Sequence, residues 1–298
     1  MQHRTLGSTG LPVSVVGLGT WQLGGEWGRT YSTDDVKPIV DAARDCGINL
    51  IDTAECYGDH ESERLLGEQI EGDRDRWVLA TKFGHEYHGF LDRTEPREPA
   101  DVRRQLGDSL KALRTDRVEL LQYHSWADDE YFEDDVLAEL NKLKDEGKVL
   151  HLGNSVGSNT NLKQVAASEA RGIEAIQIIY NRLDRAPEAD VFPACQKQNL
   201  GVLARVPLAS GYLTGKYAPG DEGKFEGEDH RAKGDKADIR DKLEQAQRIK
   251  RDEVPEGTDM ATWALAWCLK HEAVTCVIPG CKDADQVRSN AAATELDT

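Results

Sequence analysis

Eight short apolar runs, each followed by a longer stretch of mixed polarity, set the strongest limit on how this chain can fold. The runs are Val15–Leu18, Asn49–Asp52, Trp77–Lys82, Val118–Tyr123, Val149–Gly153, Ala175–Ile178, Val202–Ala204 and Thr275–Ile278. Between them lie helical patterns. Thr33–Cys46 opens on a Ser/Thr cap and stops before Gly47. Glu61–Ile70, Asp101–Leu113, Asp135–Glu146, Thr160–Glu169, Ala189–Lys197 and Asp259–His271 follow. Strands alternating with helices predict a parallel sheet. Eight such units, at roughly 35 residues each, close most naturally into a (β/α)8 barrel of the α/β class.

Three further features refine that picture. Arg4–Val16 holds Ser8-Thr9-Gly10 between two short extended pieces and reads as a β-hairpin able to plug the barrel floor. Ala209–Gly234, after the seventh strand, and Gly84–Ala100, after the third, are long loops without periodicity; such loops are usually functional or disordered, and these two fall on the rim where a barrel carries its chemistry. No repeat or linker divides the chain, so residues 1–298 are expected to form one barrel domain.

Composition removes several classes. The net charge of −17 argues against nucleic acid and anionic membrane as partners. No apolar run approaches the roughly 20 residues that cross a bilayer, and no signal peptide is visible, which makes a cytoplasmic enzyme the expectation. The six cysteines form no CxxC pair or zinc-like spacing and are expected to be reduced. The 16 lysines stand against 29 aspartates, so a hydrated acidic surface suited to a salt-loving host is expected, with an ordinary acidic cytosolic protein as the plainer alternative.

In a barrel, reactive side chains sit at or just beyond the C-terminal ends of strands. Asp52 ends the second run, Tyr57 lies five residues on, Lys82 ends the third and His124 follows the fourth. Taken singly, each has a plain reading as a cap, a lid, a solvated charge or a satisfied core residue. Together they suit carbonyl reduction, which puts negative charge on an oxygen that a proton donor must meet. Tyrosine titrates near about 10, and a neighbouring ammonium lowers that value. Lys82 supplies the ammonium, Asp52 its counter-ion, and His124 a hydrogen bond to the substrate oxygen.

These residues resemble a known family. Asp52-Thr-Ala-Glu-Cys-Tyr-Gly58, with Ser62-Glu63 and Leu66-Gly67 behind it, is similar to the aldo-keto reductase signature around a reactive tyrosine. Arg4-Thr-Leu-Gly7, Gly17-Leu-Gly-Thr-Trp21, Thr81-Lys-Phe-Gly84, Leu120-Leu-Gln-Tyr-His124, Gln177–Asn181, Pro207–Tyr217 and Ile278-Pro-Gly280 with Asn290 extend the resemblance almost end to end. It implies an oxidoreductase with the tetrad Asp52, Tyr57, Lys82 and His124. It also implies NADP(H) bound across the barrel mouth without a Rossmann domain. Gly19, Thr20 and Trp21, with Asp52, would lie near the nicotinamide. Ser155 and Gln177 would hold its carboxamide, and Pro207, Leu208, Ser210 and Lys216 the pyrophosphate. Gly280, Lys282, Gln286 and Asn290 would hold the adenosine end. The substrate implied is a small aldehyde, ketone or sugar, with Trp21, Trp27, Tyr87 and Trp126 as pocket walls.

Some positions depart from the family pattern. Arg205 stands where an aromatic usually stacks on the nicotinamide; a guanidinium plane can also stack, and it adds charge. Val156 follows Ser155 where Asn or Arg is common. Gln286 replaces a usual basic residue, which leaves the 2′-phosphate to Lys282, with Arg231 and Arg288 as further candidates and dual use of NAD(H) open. Three competing readings remain. They are an NADP(H)-binding regulatory module like the potassium-channel β subunits, a barrel aldolase using Lys82 as a Schiff base, and a metal-dependent barrel hydrolase. No HxH ends a strand and no carboxylate pair completes a ligand set, so no metal is expected.

Overall fold

The computed structural model describes residues 1–296. It opens with an antiparallel hairpin, β1 (His3–Thr5) and β2 (Pro12–Ser14), turned at Gly7–Thr9. The barrel strands are β3 (Leu18–Gly19), β4 (Leu50–Asp52), β5 (Val78–Phe83), β8 (Val118–His124), β9 (Val149–Ser155), β10 (Ile173–Ile179), β11 (Gly201–Arg205) and β12 (Cys276–Val277). A rim hairpin, β6 (Glu86–Gly89) and β7 (Asp92–Thr94), interrupts that series. The eight barrel strands pair in parallel, in chain order. Parallel bridges from Val16 to Val277 and from Gly19 to Gly280 join the first strand to the last and close the ring. At that seam a Cβ on Gly19 would stand 2.7 Å from the Ile278 carbonyl oxygen, which is why glycine occupies it.

Helices α1 (Thr33–Asp45), α2 (Glu61–Ile70), α3 (Pro99–Ala112), α4 (Asp128–Tyr131), α5 (Asp134–Asp145), α6 (Leu162–Ala166), α7 (Val191–Lys197), α8 (Lys236–Asp252), α9 (Met260–Leu269) and α10 (Ala284–Ala291) complete the fold. The main core fills the space between this helical layer and the outer face of the sheet. Ser32 caps α1 and, with Asp35, forms a reciprocal capping box. None of the described helices is long and apolar enough to cross a membrane.

Strand parity places the site. Alternate side chains of a strand face the barrel interior. Leu50, Val78, Ala80, Leu120, Ala175, Leu203 and Cys276 form that interior, and Leu6 and Val13 of the β1–β2 hairpin plug its floor, as expected. Two residues further along each strand, the same parity delivers Asp52, Lys82, Gln122, Gln177 and Arg205 to the mouth. Each of these five strands therefore enters on an apolar side chain and leaves on a polar one.

The structure differs from the sequence reading in detail. β3 and β12 are shorter than expected, because the seam closes through isolated bridges. Only Leu162–Ala166 of the 160–169 stretch is regular helix. α8 and α10 were not anticipated. The two rim loops carry structure of their own: the β6–β7 hairpin in one, and 3-10 turns at Ala209–Thr214 and His230–Lys233 in the other.

Candidate active site

A cavity of ≈ 800 Å³ opens at the C-terminal end of the barrel. Asp52 of β4, Lys82 of β5 and Tyr57 from the loop after β4 meet there. The Lys82 ammonium donates to Asp52 Oδ1 at 2.7 Å, to the Thr53 carbonyl at 2.7 Å and to the Tyr57 hydroxyl at 3.3 Å. All three of its N–H groups are therefore engaged. Asp52 Oδ2 accepts from Gln177 at 2.7 Å and from Gln122 at 3.2 Å, so both of its oxygens are held. Lys82 is 1% exposed and Asp52 3% exposed, so removing either partner strands a buried charge. Burial opposes the Lys82 charge, but Asp52 and Tyr57 outweigh it, and the lysine pKa rises.

His124, at the end of β8, completes the group, its ring edge-on to that of Tyr57 with centroids 6.1 Å apart. Burial, then Lys82, Arg205 and Arg93, hold its pKa well below the ordinary value, so the ring is neutral. Tyr57 shows the opposite of one expectation. Burial pushes it up to about 12, and the Lys82 ammonium only partly offsets that. In the ligand-free site the phenol is held protonated rather than made more acidic.

Of the expected dinucleotide contacts all but Arg288 line this one cavity: Gly19, Thr20, Trp21, Asp52, Ser155, Gln177, Arg205, Pro207, Leu208, Ser210, Lys216, Arg231, Gly280, Lys282, Gln286 and Asn290. The turn after β11 is strained, with Val206, Ala209 and Ser210 at φ of 54°, 49° and 56°. A β-branched residue in that region is a true outlier, and such strain clusters at ligand sites. Arg205 donates to the Val156 carbonyl at 3.0 Å, and its Nε is sealed and unpartnered. Burial lowers its pKa, with Tyr57 and Asp52 pulling the other way.

Three of the expected contacts already have partners within the protein. Arg231 is already neutralised by Asp229, at 2.9 and 2.6 Å, and lies 4.2 Å over the Phe225 ring, which suits it to fastening the rim loop. Arg288 is exposed and paired with Asp285. Gln286 accepts from the Lys282 backbone N–H at 3.1 Å. Lys282 lines the cavity with no carboxylate partner among the described residues.

Of the expected pocket walls, Trp21 and Trp27 line the cavity and pack edge-to-face at 5.4 Å. Trp126 and Tyr87 do not. Trp126 is 1% exposed and packs on Phe83 and Tyr123. The left-handed turn at Ser125, φ 61°, breaks the strand alternation that would have aimed it inward. Tyr87 sits on the β6–β7 hairpin and lines a separate outer cavity of ≈ 580 Å³.

Sequence reasoning missed Gln122, Glu55, His85 and Arg93. Gln122 was findable: it is two residues before His124, on the same interior parity. The other three meet only in space. Glu55, Cys56 and His124 bring ligand-type atoms within 4.8 Å of one another. Arg93 lies against Cys56, and burial raises its thiol pKa, a setting for hydrogen bonds rather than a cation.

The Aldo/keto reductase family model matches residues 15–298. The chain is 31% identical over 318 aligned positions to an NADH-specific methylglyoxal reductase of Escherichia coli (strain K12), covering 99% of this chain and 94% of that one. It is 35% identical over 236 positions to aldo-keto reductase YhdN of Bacillus subtilis (strain 168), covering 78% and 69%. Among solved structures, the holo form of aldo-keto reductase AKR11C1 from Bacillus halodurans superposes with a TM-score of 0.82 at 28% identity, over 99% of this chain and 91% of that one.

Proposed function

The chain belongs to the aldo/keto reductase family of oxidoreductases, and we propose that it reduces small aldehydes, ketones or sugars with NADP(H), using Tyr57 as the proton donor. The observation that carries this reading is the Lys82 ammonium held between Asp52 and the Tyr57 hydroxyl at the mouth of the barrel. We read residues 1–298 as one such domain, resident in the cytoplasm.

The cavity fits a dinucleotide. Arg205, Lys216 and Lys282 line it with no carboxylate partner among the described residues, and a strained turn with left-handed residues lies between the first two. Lys216 and the Pro207–Ser210 turn would hold the pyrophosphate, and Lys282 the 2′-phosphate. Ser155 and Gln177 would hold the carboxamide; Ser155 Oγ already donates to Gln177 Oε1 at 3.2 Å. When bound, the reduced cofactor supplies a hydride to the carbonyl carbon.

The chain's own residues do the rest. The neutral His124 donates one ring N–H to the carbonyl oxygen and orients it. The Tyr57 hydroxyl gives that oxygen its proton as charge builds there. Lys82 stabilises the phenolate left behind, and Asp52, anchored by Gln122 and Gln177, keeps Lys82 in place. The aldolase alternative loses ground on geometry, since a Schiff base needs a neutral amine and Lys82 has every N–H committed.

The test is NADPH oxidation by the pure protein against a panel of aldehydes, ketones and sugars, in low and in high salt. Turnover of some carbonyl is expected, sustained in high salt by the acidic surface. NADPH binding without turnover of any carbonyl would favour the regulatory-module reading instead.

A further inference from the structure

Carbonyl reduction changes charge at two places. The carbonyl carbon takes two electrons as a hydride, its oxygen takes the Tyr57 proton, and one positive charge is left on the nicotinamide ring. The reduced ring is neutral and the oxidised ring is a cation, while the phosphates are the same in both forms. A fixed charge beside the ring therefore acts on the two forms unequally.

Most charge near the reacting atoms is cancelled. Lys82 is paired with Asp52 and Arg93 with Glu26, and burial favours the neutral forms of His124 and Glu55. Arg205 is the exception. Its guanidinium donates to the Val156 carbonyl at 3.0 Å, its Nε is sealed without a partner, and no carboxylate among the described residues pairs with it. Burial lowers its pKa, but a guanidinium stays protonated throughout the range in which proteins fold.

The strand order places this charge. Arg205 ends β11, yet the carbonyl it reaches follows Ser155, the last residue of β9. β10 lies between those strands, with Gln177 at its mouth end. The arginine side chain thus spans the end of β10, across the two residues read above as holding the carboxamide. On its other side its charge acts on Tyr57, Asp52 and His124. All of these groups except Val156 line the one cavity. Reacting atoms in such a site stand roughly 3–3.5 Å apart. A ring held at its carboxamide by Ser155 and Gln177, and that close to a carbonyl whose oxygen meets Tyr57 and His124, lies beside this guanidinium.

We propose that Arg205 sets the working direction of the site: its permanent positive charge beside the ring weakens binding of the oxidised dinucleotide relative to the reduced one and commits the site to carbonyl reduction. The inference rests on the NADP(H) reading above. The equilibrium between carbonyl and alcohol in solution is untouched. What changes is which form of the dinucleotide occupies the site, and how readily the spent form leaves. The bond to Val156 keeps the charge in place, and arginine, unlike histidine, keeps it at every working pH.

The experiment measures the dissociation constants of NADPH and of NADP+ by titration calorimetry, at neutral pH and one salt concentration, for wild type, Arg205→Met, Arg205→Gln and Arg205→Lys. Contacts to the phosphates cancel in the ratio of the two constants. Wild type should hold NADPH at least about tenfold more tightly than NADP+. In Arg205→Met that preference should fall at least about tenfold through tighter NADP+ binding, which is about 30 mV on the potential of the bound two-electron couple. Arg205→Gln, which keeps a donor for the Val156 carbonyl, should behave likewise, and Arg205→Lys should stay within about threefold of wild type. Inhibition of carbonyl reduction by NADP+ should strengthen in the two neutral variants in step with its affinity. Equal changes in both constants would put Arg205 on the phosphates and overturn the inference. A wild type that binds the two forms equally, or neutral variants that keep the wild-type ratio, would overturn it as well. If wild type binds neither dinucleotide, the NADP(H) reading itself falls, and this inference with it.

Discussion

On the β4–β5–β8 side of the mouth every cation has a counter-charge: Lys82 on Asp52 at 2.7 Å and Arg93 on Glu26 at 2.5 Å. On the β9–β12 side, Arg205, Lys216 and Lys282 have no such partner among the described residues, and the Val206–Ser210 turn between the first two is strained. The first half is finished without a ligand; its groups are preorganised and need no rearrangement as charge develops. On the function proposed above, the second half is completed by the negative charge of a bound dinucleotide. On that proposal the contrast separates a region for chemistry from a region for holding, although both grow from the ends of the same set of strands.

The widest test of that contrast is Lys82→Met. It leaves Asp52 buried and unpaired, which costs about 3–5 kcal/mol in urea denaturation. Adding Asp52→Leu should recover part of the loss, and purely additive losses would show that the pair is not coupled. Next in size is Lys282→Gln, which should weaken NADPH binding about tenfold and leave NADH within about twofold, read by fluorescence titration. An equal loss for both dinucleotides would take the 2′-phosphate away from Lys282. Smaller still, Arg205→Met should raise the stability of the ligand-free protein by up to about 1 kcal/mol, because a half-buried cation with no carboxylate partner is removed. Opposite signs for Lys82→Met and Arg205→Met are the fingerprint of the two halves; destabilisation by both would erase it.

The smallest effect near neutrality is shared by the two sides. Burial pulls His85 and His230 down to about 4 from an ordinary 6.5. Between those values the unfolded chain binds protons that the folded chain refuses, so stability falls as pH drops from about 6.5 towards 4 and levels off below. Proton uptake on unfolding at pH 5 should decrease by about one in His85→Gln and again in His230→Gln. Unchanged uptake would mean that these rings are not held neutral.

Much of this was legible in the sequence because barrel physics writes itself in short runs. Strands buried on both faces show up as apolar blocks, and the rule that chemistry sits at their ends picked out Asp52, Lys82 and His124 without a structure. The rest was hidden for identifiable reasons. α8 buries only a thin stripe, Ile239, Leu243, Ala246 and Ile249, under a charged exterior, so its periodicity was masked. Trp126 was misassigned because one left-handed residue, Ser125, broke the alternation. Glu55 and His85 follow different strands, and no spacing in the chain announces that they meet.

The central claim is that Tyr57 gives the proton while a separate half of the mouth holds the reductant. The most direct measurement pairs two readings on Tyr57→Phe: NADPH affinity by titration, and the single-turnover rate of NADPH oxidation with an aldehyde the wild type reduces. Affinity within about twofold of wild type, with a rate at least about a hundredfold lower, is the result expected. Oxidation at close to the wild-type rate, or loss of NADPH binding in step with the rate, would contradict it.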